Sequence, residues 1–313
     1  MERYITVNAR CAHESFGGNI NICGTLFLVP TPLGNPEDLS PRARYILENV
    51  DYIAAEDTRR AARLLSSVGI GNTLVSYYEQ NSEQRDEEII NDLLHEAKRV
   101  AVISDAGTPC VSDPGASLVL KAIERNIKVI SVPGPSAILT ALAASGLDPS
   151  RFVFNGFLPP KGRKREEIIK KMGQEEHSVV FFESPHRLSK TLADMEQQGL
   201  GERRLTIARE LTKEYEEFLY LDVMSALRYY ETVEPRGEFT LVLEGVSAYE
   251  KRTGTTLGEI ADPELEDLLA QLLAEGVRTK AAAKILAQAT GVEQRRLYDL
   301  ALEIEKASPA NDQ

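Results

Sequence analysis

The apolar run at residues 25–30 (TLFLVP) gives way to the breaker-rich TPLGNPED and then, over residues 40–50, to apolar positions at helical spacing. That order predicts a strand, a loop and a helix. It recurs at residues 51–55 before EDTRR, at 100–104 before DAGTP and at 128–132 before PGPSA, with helical stretches between. Strands alternating with helices predict a parallel sheet covered on both faces, with ligands received in the crevice at the carboxyl ends of the strands. The loops richest in Gly, Pro and small polar residues fall at those ends.

Beyond Ser150 strands outnumber helices: FVFNGF, SVVFFES, RLTIARE, EFLYLDV and RGEFTLVLEG, with a basic helix after the first and another from His186. Neighbouring short strands predict a mixed sheet with antiparallel pairs, hence a second lobe starting near residues 147–150. From Asp262 the pattern becomes three short helices, PELEDLLAQLLAEG, TKAAAKILAQAT and EQRRLYDLALEIEK. The expected organisation is an α/β chain: a disordered extension over 1–24, a parallel-sheet lobe over 25–149, a mixed-sheet lobe over 150–248, and a linker, helical appendage and disordered tail over 249–313. The middle of the appendage is compatible with a helix-turn-helix and also with a docking or dimer element. Its basic group, Arg278, Lys280, Lys284, Arg295 and Arg296, keeps RNA contact open.

Composition narrows the class. Of 313 residues, 42% are hydrophobic and 27% charged, as in an ordinary soluble protein. No apolar run approaches the roughly 18 residues of a membrane span, and the first two dozen residues lack a secretory apolar stretch. Cys11, Cys23 and Cys110 form no CxxC pair, so neither a disulfide framework nor a metal site is expected, and a cytoplasmic location fits. The net charge of -12 argues against binding nucleic acid through overall basicity. Locally, KGRKREEIIKK carries six basic residues against Glu166 and Glu167, either a phosphate-gripping loop or a solvated helix start.

The chemistry resides in the loops. Gly34, between Pro32 and Pro36, lets a ligand approach the main chain. In SDAGTPCVSDPG, Ser104, Asp105, Thr108, Ser112 and Asp113 offer hydrogen-bonding groups along a path fixed by glycines and prolines; Asp113 serves equally well as a helix cap. In PGPSA, Ser136 is either a ligand contact or an N-cap. Neither GxGxxG nor GxxxxGK[ST] occurs, so the common dinucleotide and nucleoside-triphosphate readings lose support.

Taken in order, LVPTPLGNPEDLS, AAEDTRR, ISDAGTPCVSDPG, VPGPSA, GFLPPKGRKR, FFESPHRL and ARELTKEYEEF resemble the tetrapyrrole-methylase superfamily of S-adenosylmethionine enzymes, and within it the branch of ribosomal RNA small subunit methyltransferases I. The resemblance covers roughly residues 25–245 plus the helical tail. It implies a two-lobed homodimer that folds S-adenosylmethionine into the interlobe cleft and methylates a cytidine 2'-hydroxyl of 16S rRNA or the small subunit. Methylation of a tetrapyrrole or diphthamide precursor, and noncatalytic ribosome binding, are the alternatives. The cofactor positions it implies are Pro32, Gly34, Ser104, Asp105, Gly107, Thr108, Ser136, Ala137, Phe182 and Ala208, with Gly237 and Thr240 on the closing strand. Catalytic candidates are Glu183, His186, Arg209, Glu210 and Lys213, against which stand helix capping for Glu183, a first-turn position for His186 and a structural ion pair for Arg209 with Glu210. Arg59, Arg60, Lys161, Arg163, Lys164 and Arg165 are the expected RNA contacts. The extension before Thr25 and Cys110, where a small residue is expected, depart from the family pattern; Cys110 is expected to pack as a small apolar group.

Overall fold

The computed structural model describes residues 24–254, 262–290, 292 and 294–307. Most of the expected N-terminal extension, and the tail SPANDQ, lie outside them. The described residues fall into two compact units, one ending at Glu244 and one beginning at Gly245.

The first unit holds two five-stranded sheets. Strands β1 (Thr25–Leu28), β2 (Tyr52–Ala55), β3 (Leu74–Ser76), β4 (Arg99–Ile103) and β5 (Lys128–Ser131) are all parallel, in the order β3-β2-β4-β1-β5. The intervening helices are α1 (Pro41–Asn49), α2 (Thr58–Ser67), α3 (Ser82–His95), α4 (Ala116–Glu124) and, after β5, α5 (Ala137–Ala144). Their starts follow from capping: the Ser40 hydroxyl accepts from the Ala43 N–H, and the Asp57 carboxylate from those of Arg59 and Arg60. Side-chain alternation divides the sheet. Phe27, Ile53, Ala101 and Ile103 pack with α1 and α2, whereas Leu26, Ala54, Val100 and Val102 pack with α3 and α4. Strand β3 has no counterpart among the expected elements, because three half-buried residues at a sheet edge leave too short a pattern to register.

The second sheet runs β6-β7-β10-β8-β9, built from β6 (Phe152–Phe157), β7 (Ser178–Glu183), β8 (Arg204–Arg209), β9 (Glu217–Asp222) and β10 (Phe239–Leu243). Only β6 and β7 pair in parallel, so this is the mixed sheet the sequence predicts. Helices α6 (Arg163–Gln174), α7 (Pro185–Met195) and α8 (Val223–Thr232) cover one face, over Phe181, Ile207 and Leu241. On the opposite face Val180, Ala208 and Val242 pack against Ala141 and Leu142 of α5. Helix α5 thus joins the two lobes through a shared apolar layer.

The second unit comprises α9 (Val246–Thr253), α10 (Asp262–Ala274), α11 (Thr279–Thr290) and α12 (Gln294–Ala307). Leu265, Leu269, Ala282, Ala283, Leu286, Leu297 and Ala301 form its own core. No described helix is long and apolar enough to cross a membrane.

Phe181 is wholly buried and Leu120 on α4 is 58% exposed. Urea denaturation is expected to show Phe181→Ala losing about 3–5 kcal/mol, while Leu120→Ala stays within about 0.5 kcal/mol of the parent.

Candidate functional site in the cleft between the lobes

Three loops leaving the carboxyl ends of β1, β4 and β5 are tied to one another before any ligand is considered. Thr31 and Gly107 exchange backbone hydrogen bonds in both directions at 2.9 Å. The Thr31 hydroxyl donates to the Ser104 carbonyl at 3.1 Å, and the Thr108 hydroxyl to the Pro135 carbonyl at 3.0 Å. Gly107 has a φ of +83°, and a Cβ there would stand 3.3 Å from Leu33. Pro32, Ser104, Gly107, Thr108, Ser136 and Ala137 therefore belong to one cluster, with Ser136 capping α5 through the Leu139 N–H. Thr31 escaped the sequence reading; its only signal is its place between two prolines, while its partner lies 76 residues downstream.

The second sheet supplies the facing wall. Phe182, Thr240 and Ala208 sit side by side in one row across β7, β10 and β8, on the face shared with α5. Phe154 and Phe157 pack their rings on Phe182 at centroid distances of 5.1 and 5.4 Å. A register irregularity between Phe154 and Phe157 brings Gly156 against Ser112 of the β4 loop.

The turn after β8 reaches across to the first loop. The Asn35 N–H donates to the Thr212 hydroxyl at 3.2 Å, and a Cβ on Gly34 would come within 2.2 Å of the Lys213 side chain. Lys213 Nζ in turn binds Glu210 at 2.8 Å and Glu238 at 3.0 Å. Glu210 also accepts from the Glu238 N–H at 2.9 Å and lies against Gly237. Burial alone would raise the Glu210 carboxyl, but these donors hold it below its ordinary range. Burial likewise disfavours the Lys213 charge, yet its two carboxylates raise its pKa overall, so the ammonium keeps its proton. Backbone strain collects in these loops: Cys110, Ser112, Glu210 and Thr212 all have positive φ, each costing on the order of 1–3 kcal/mol.

Electrostatically the cleft floor is acidic. The Asp57 N–H donates to Asp105 Oδ1 at 3.2 Å, and Arg60 pairs with Asp105 at 3.1 Å. Burial raises the Asp113 carboxyl to about 6, reinforced by the charges of Glu56 and Asp105 and opposed by a hydrogen bond from Ser104. Glu56 is also raised, by burial and then by Asp105. The Cys110 thiol, pushed up to about 11 by burial and by Asp113, stays neutral and packs against Gly115 as a small group. A half-buried, mutually repelling set of carboxylates beside small residues is electrostatically suited to a ligand carrying positive charge.

The remaining candidates fall elsewhere. The Glu183 side chain is wholly buried, accepting from Thr191 at 2.6 Å and pairing with Arg187 at 2.8 Å, and it also accepts from the Ser184 N–H at the head of α7. His186 is exposed in the first turn of α7. Arg209 pairs with Glu217 at 3.0 Å rather than with Glu210, whose partner is Lys213. Among the expected RNA contacts, Arg59, Lys161, Arg163 and Lys164 are exposed, Arg163 leaning on Glu167 at 2.7 Å. Arg165 is a correction: it is buried, bound to Asp194 at 2.7 Å, Thr191 at 2.8 Å and the Pro159 carbonyl at 3.1 Å. Its guanidinium is used up inside the lobe and does not reach a phosphate.

Comparison with known proteins agrees with this architecture. Residues 25–225 match the profile of the Tetrapyrrole (Corrin/Porphyrin) Methylases, and residues 259–305 that of the RsmI C-terminal HTH domain. A Synechocystis protein named ribosomal RNA small subunit methyltransferase I is 42% identical over 283 residues, covering 90% of this chain and 99% of the relative. A Thermotoga maritima protein of the same name is 46% identical over 222 residues, 71% of this chain and 99% of the relative. Among solved structures, the Thermus thermophilus uroporphyrin-III C-methyltransferase complexed with S-adenyl homocysteine superposes with a TM-score of 0.52 at 17% identity, covering 70% of this chain and 97% of that one. That likeness speaks to the fold.

Two outcomes follow from the geometry. Arg165→Ala should destabilise the protein by about 3–5 kcal/mol in urea titrations, because it strips the cation bound to Asp194 and lying 3.9 Å from buried Glu183, whereas Arg163→Ala should be close to neutral. A carboxyl with a raised folded pKa binds more protons folded than unfolded, so ionising Asp113 subtracts stability as pH rises from about 4 to about 6. Asp113→Asn should therefore raise the melting temperature at pH 7.5, by the equivalent of about 1–2 kcal/mol after solvent screening, with the gain gone at pH 4.

Proposed function

This chain belongs to the tetrapyrrole (corrin/porphyrin) methylase family, and from that membership we propose that it uses S-adenosylmethionine to methylate the 2'-hydroxyl of a cytidine in the 16S RNA of the small ribosomal subunit. The observation that carries the substrate class is the continuity of the match: a relative named for ribosomal RNA methylation aligns along 99% of its own length. The cofactor class is supported by the acidic, small-residue cleft, whose repelling carboxylates a cation would relieve. In this reading Pro32, Gly34, Ser104, Asp105, Gly107, Thr108, Ser136 and Ala137 receive the cofactor from one side, with Phe182, Ala208, Gly237 and Thr240 behind it. The same reading takes the working form to be a cytoplasmic homodimer.

When bound, S-adenosylmethionine supplies a methyl group on a positively charged sulfonium that leaves as a neutral thioether once an oxygen attacks in line. The protein's part is mostly alignment. Orientation supplies about 7–11 kcal/mol, whereas a general base typically adds about 3–5 kcal/mol. Asp105, held by Arg60 and the Asp57 N–H, offers fixed negative charge to the cofactor's cationic groups. Asp113, half-buried beside Glu56 and Asp105 with its carboxyl raised to about 6, is the group we infer to accept the ribose proton. Lys213, Glu210 and Glu238 clasp the first loop at Gly34 and set the cleft width, Arg209 and Glu183 brace the strands behind it, and His186 faces the substrate side. Arg59, Lys161, Arg163 and Lys164 contact RNA phosphates.

The test is transfer of labelled methyl from S-adenosylmethionine to purified small subunits and to naked 16S rRNA, with nuclease mapping of the modified ribose. Label on a cytidine 2'-oxygen is the expected result; cofactor binding with neither RNA labelled, and label on a tetrapyrrole instead, would overturn the substrate class. Asp105→Ala should abolish cofactor binding. Asp113→Asn should retain it, lower kcat roughly 10²- to 10⁴-fold and remove the parent's acid limb near pH 6.

A further inference from the structure

The second unit gathers unpaired cations from two helices into one groove. In the first unit the arginines and lysines near the cleft and the sheet ends, such as Arg60, Arg165, Arg187, Arg209 and Lys213, are matched with carboxylates. In the helical unit, Lys280, Lys284 and Arg295 make no ion pair with any described residue. Lys280 and Lys284 are one turn apart on α11 and so share a face. Lys280 converges with Gln294, Arg295 and Tyr298 of α12 on a single groove. Tyr298 is 38% exposed, and Lys280 and Arg295 both sit in the first turns of their helices, where unpaired backbone N–H groups add positive potential. An unneutralised basic groove inside a chain of net charge -12 is not a by-product of composition.

We propose that this groove binds single-stranded or looped RNA, with Lys280 and Arg295 on successive phosphates, Lys284 extending the track, and Tyr298 stacking on a base. The aromatic ring and the Gln294 amide favour an unpaired strand over a duplex, whose bases are hidden from a stacking side chain. The inference rests on the reading of RNA as substrate and adds, to the phosphate contacts of Arg59, Lys161, Arg163 and Lys164, a second grip on a unit separate from the chemistry. A relative whose length is 99% accounted for by 222 residues of this chain has no room for both units, which fits a module that adds affinity to a self-sufficient catalytic body.

The experiment uses the full-length protein, with naked 16S rRNA and a single-stranded oligoribonucleotide as probes across a salt series. The double variant Lys280→Glu/Arg295→Glu should lose at least about tenfold in RNA affinity and flatten the slope of log affinity against log salt by roughly 1.4, the value for two lost single-strand phosphate contacts. Its affinity for S-adenosylmethionine and its kcat at saturating RNA should match the parent's. Arg295→Lys should stay close to the parent, and Tyr298→Ala should weaken binding without changing the salt slope. A double variant with the parent's RNA affinity and slope overturns the groove alone, as does one that changes only the oligomeric state. A parent that neither binds nor methylates RNA overturns the substrate reading and the groove together.

Discussion

Two backbone hydrogen bonds between Thr31 and Gly107 hold the loop after β1 to the loop after β4, and the site takes its shape from that tie. Isolated loops of this composition would sample many conformations, and ordering each residue costs about 1–2 kcal/mol. Here the cost is met by tertiary contacts: the Thr31 hydroxyl on Ser104, the Thr108 hydroxyl on Pro135, and the close approach of Leu33 to Gly107. Once the loops are joined, Asp113 is taken out of water and set near Glu56 and Asp105, so that burial first and those charges second raise its proton affinity. Loop geometry and electrostatics are one fact seen twice.

Apart from the short edge strand β3, the elements and their order are legible in the sequence because they rest on local rules. Ser40 before a helical pattern marks a cap, and alternate residues of β1 and β4 are apolar on both faces because helices cover both. The loops of the site were legible too, through their density of glycine, proline and small polar residues. Pairings were not. Arg209 with Glu217, Lys213 over Gly34, and the row of Phe182, Thr240 and Ala208 depend on strand register, which no spacing along the chain reveals. Arg165 shows the same limit in reverse. Within KGRKR it looks like its neighbours, yet the helical phase of α6 turns it inward to Asp194 and Thr191 while Arg163 and Lys164 face solvent.

Charge is distributed by task. In the first unit Arg60 and Lys213 are paired with Asp105 and Glu210, leaving Glu56 and Asp113 without a cation partner, and in the second unit the groove cations Lys280 and Arg295 have no carboxylate partner among the described residues. A chain with a net charge of -12 can therefore present surfaces of opposite sign to a cationic small molecule and to a polyanion without the two requirements competing in one place.

Helix α5 places Ala141 and Leu142 in an apolar layer shared by two sheets. It also fixes how the molecule comes apart. Neither lobe can expose its face of that layer without stripping Ala141 and Leu142 from Val180, Ala208 and Val242, so the parallel and mixed sheets share one unfolding event rather than two. The cleft is then no more plastic than the weakest shared contact of that core. A substitution deep in either lobe, far from any ligand, is felt at the cleft as a change in how long the whole body remains assembled.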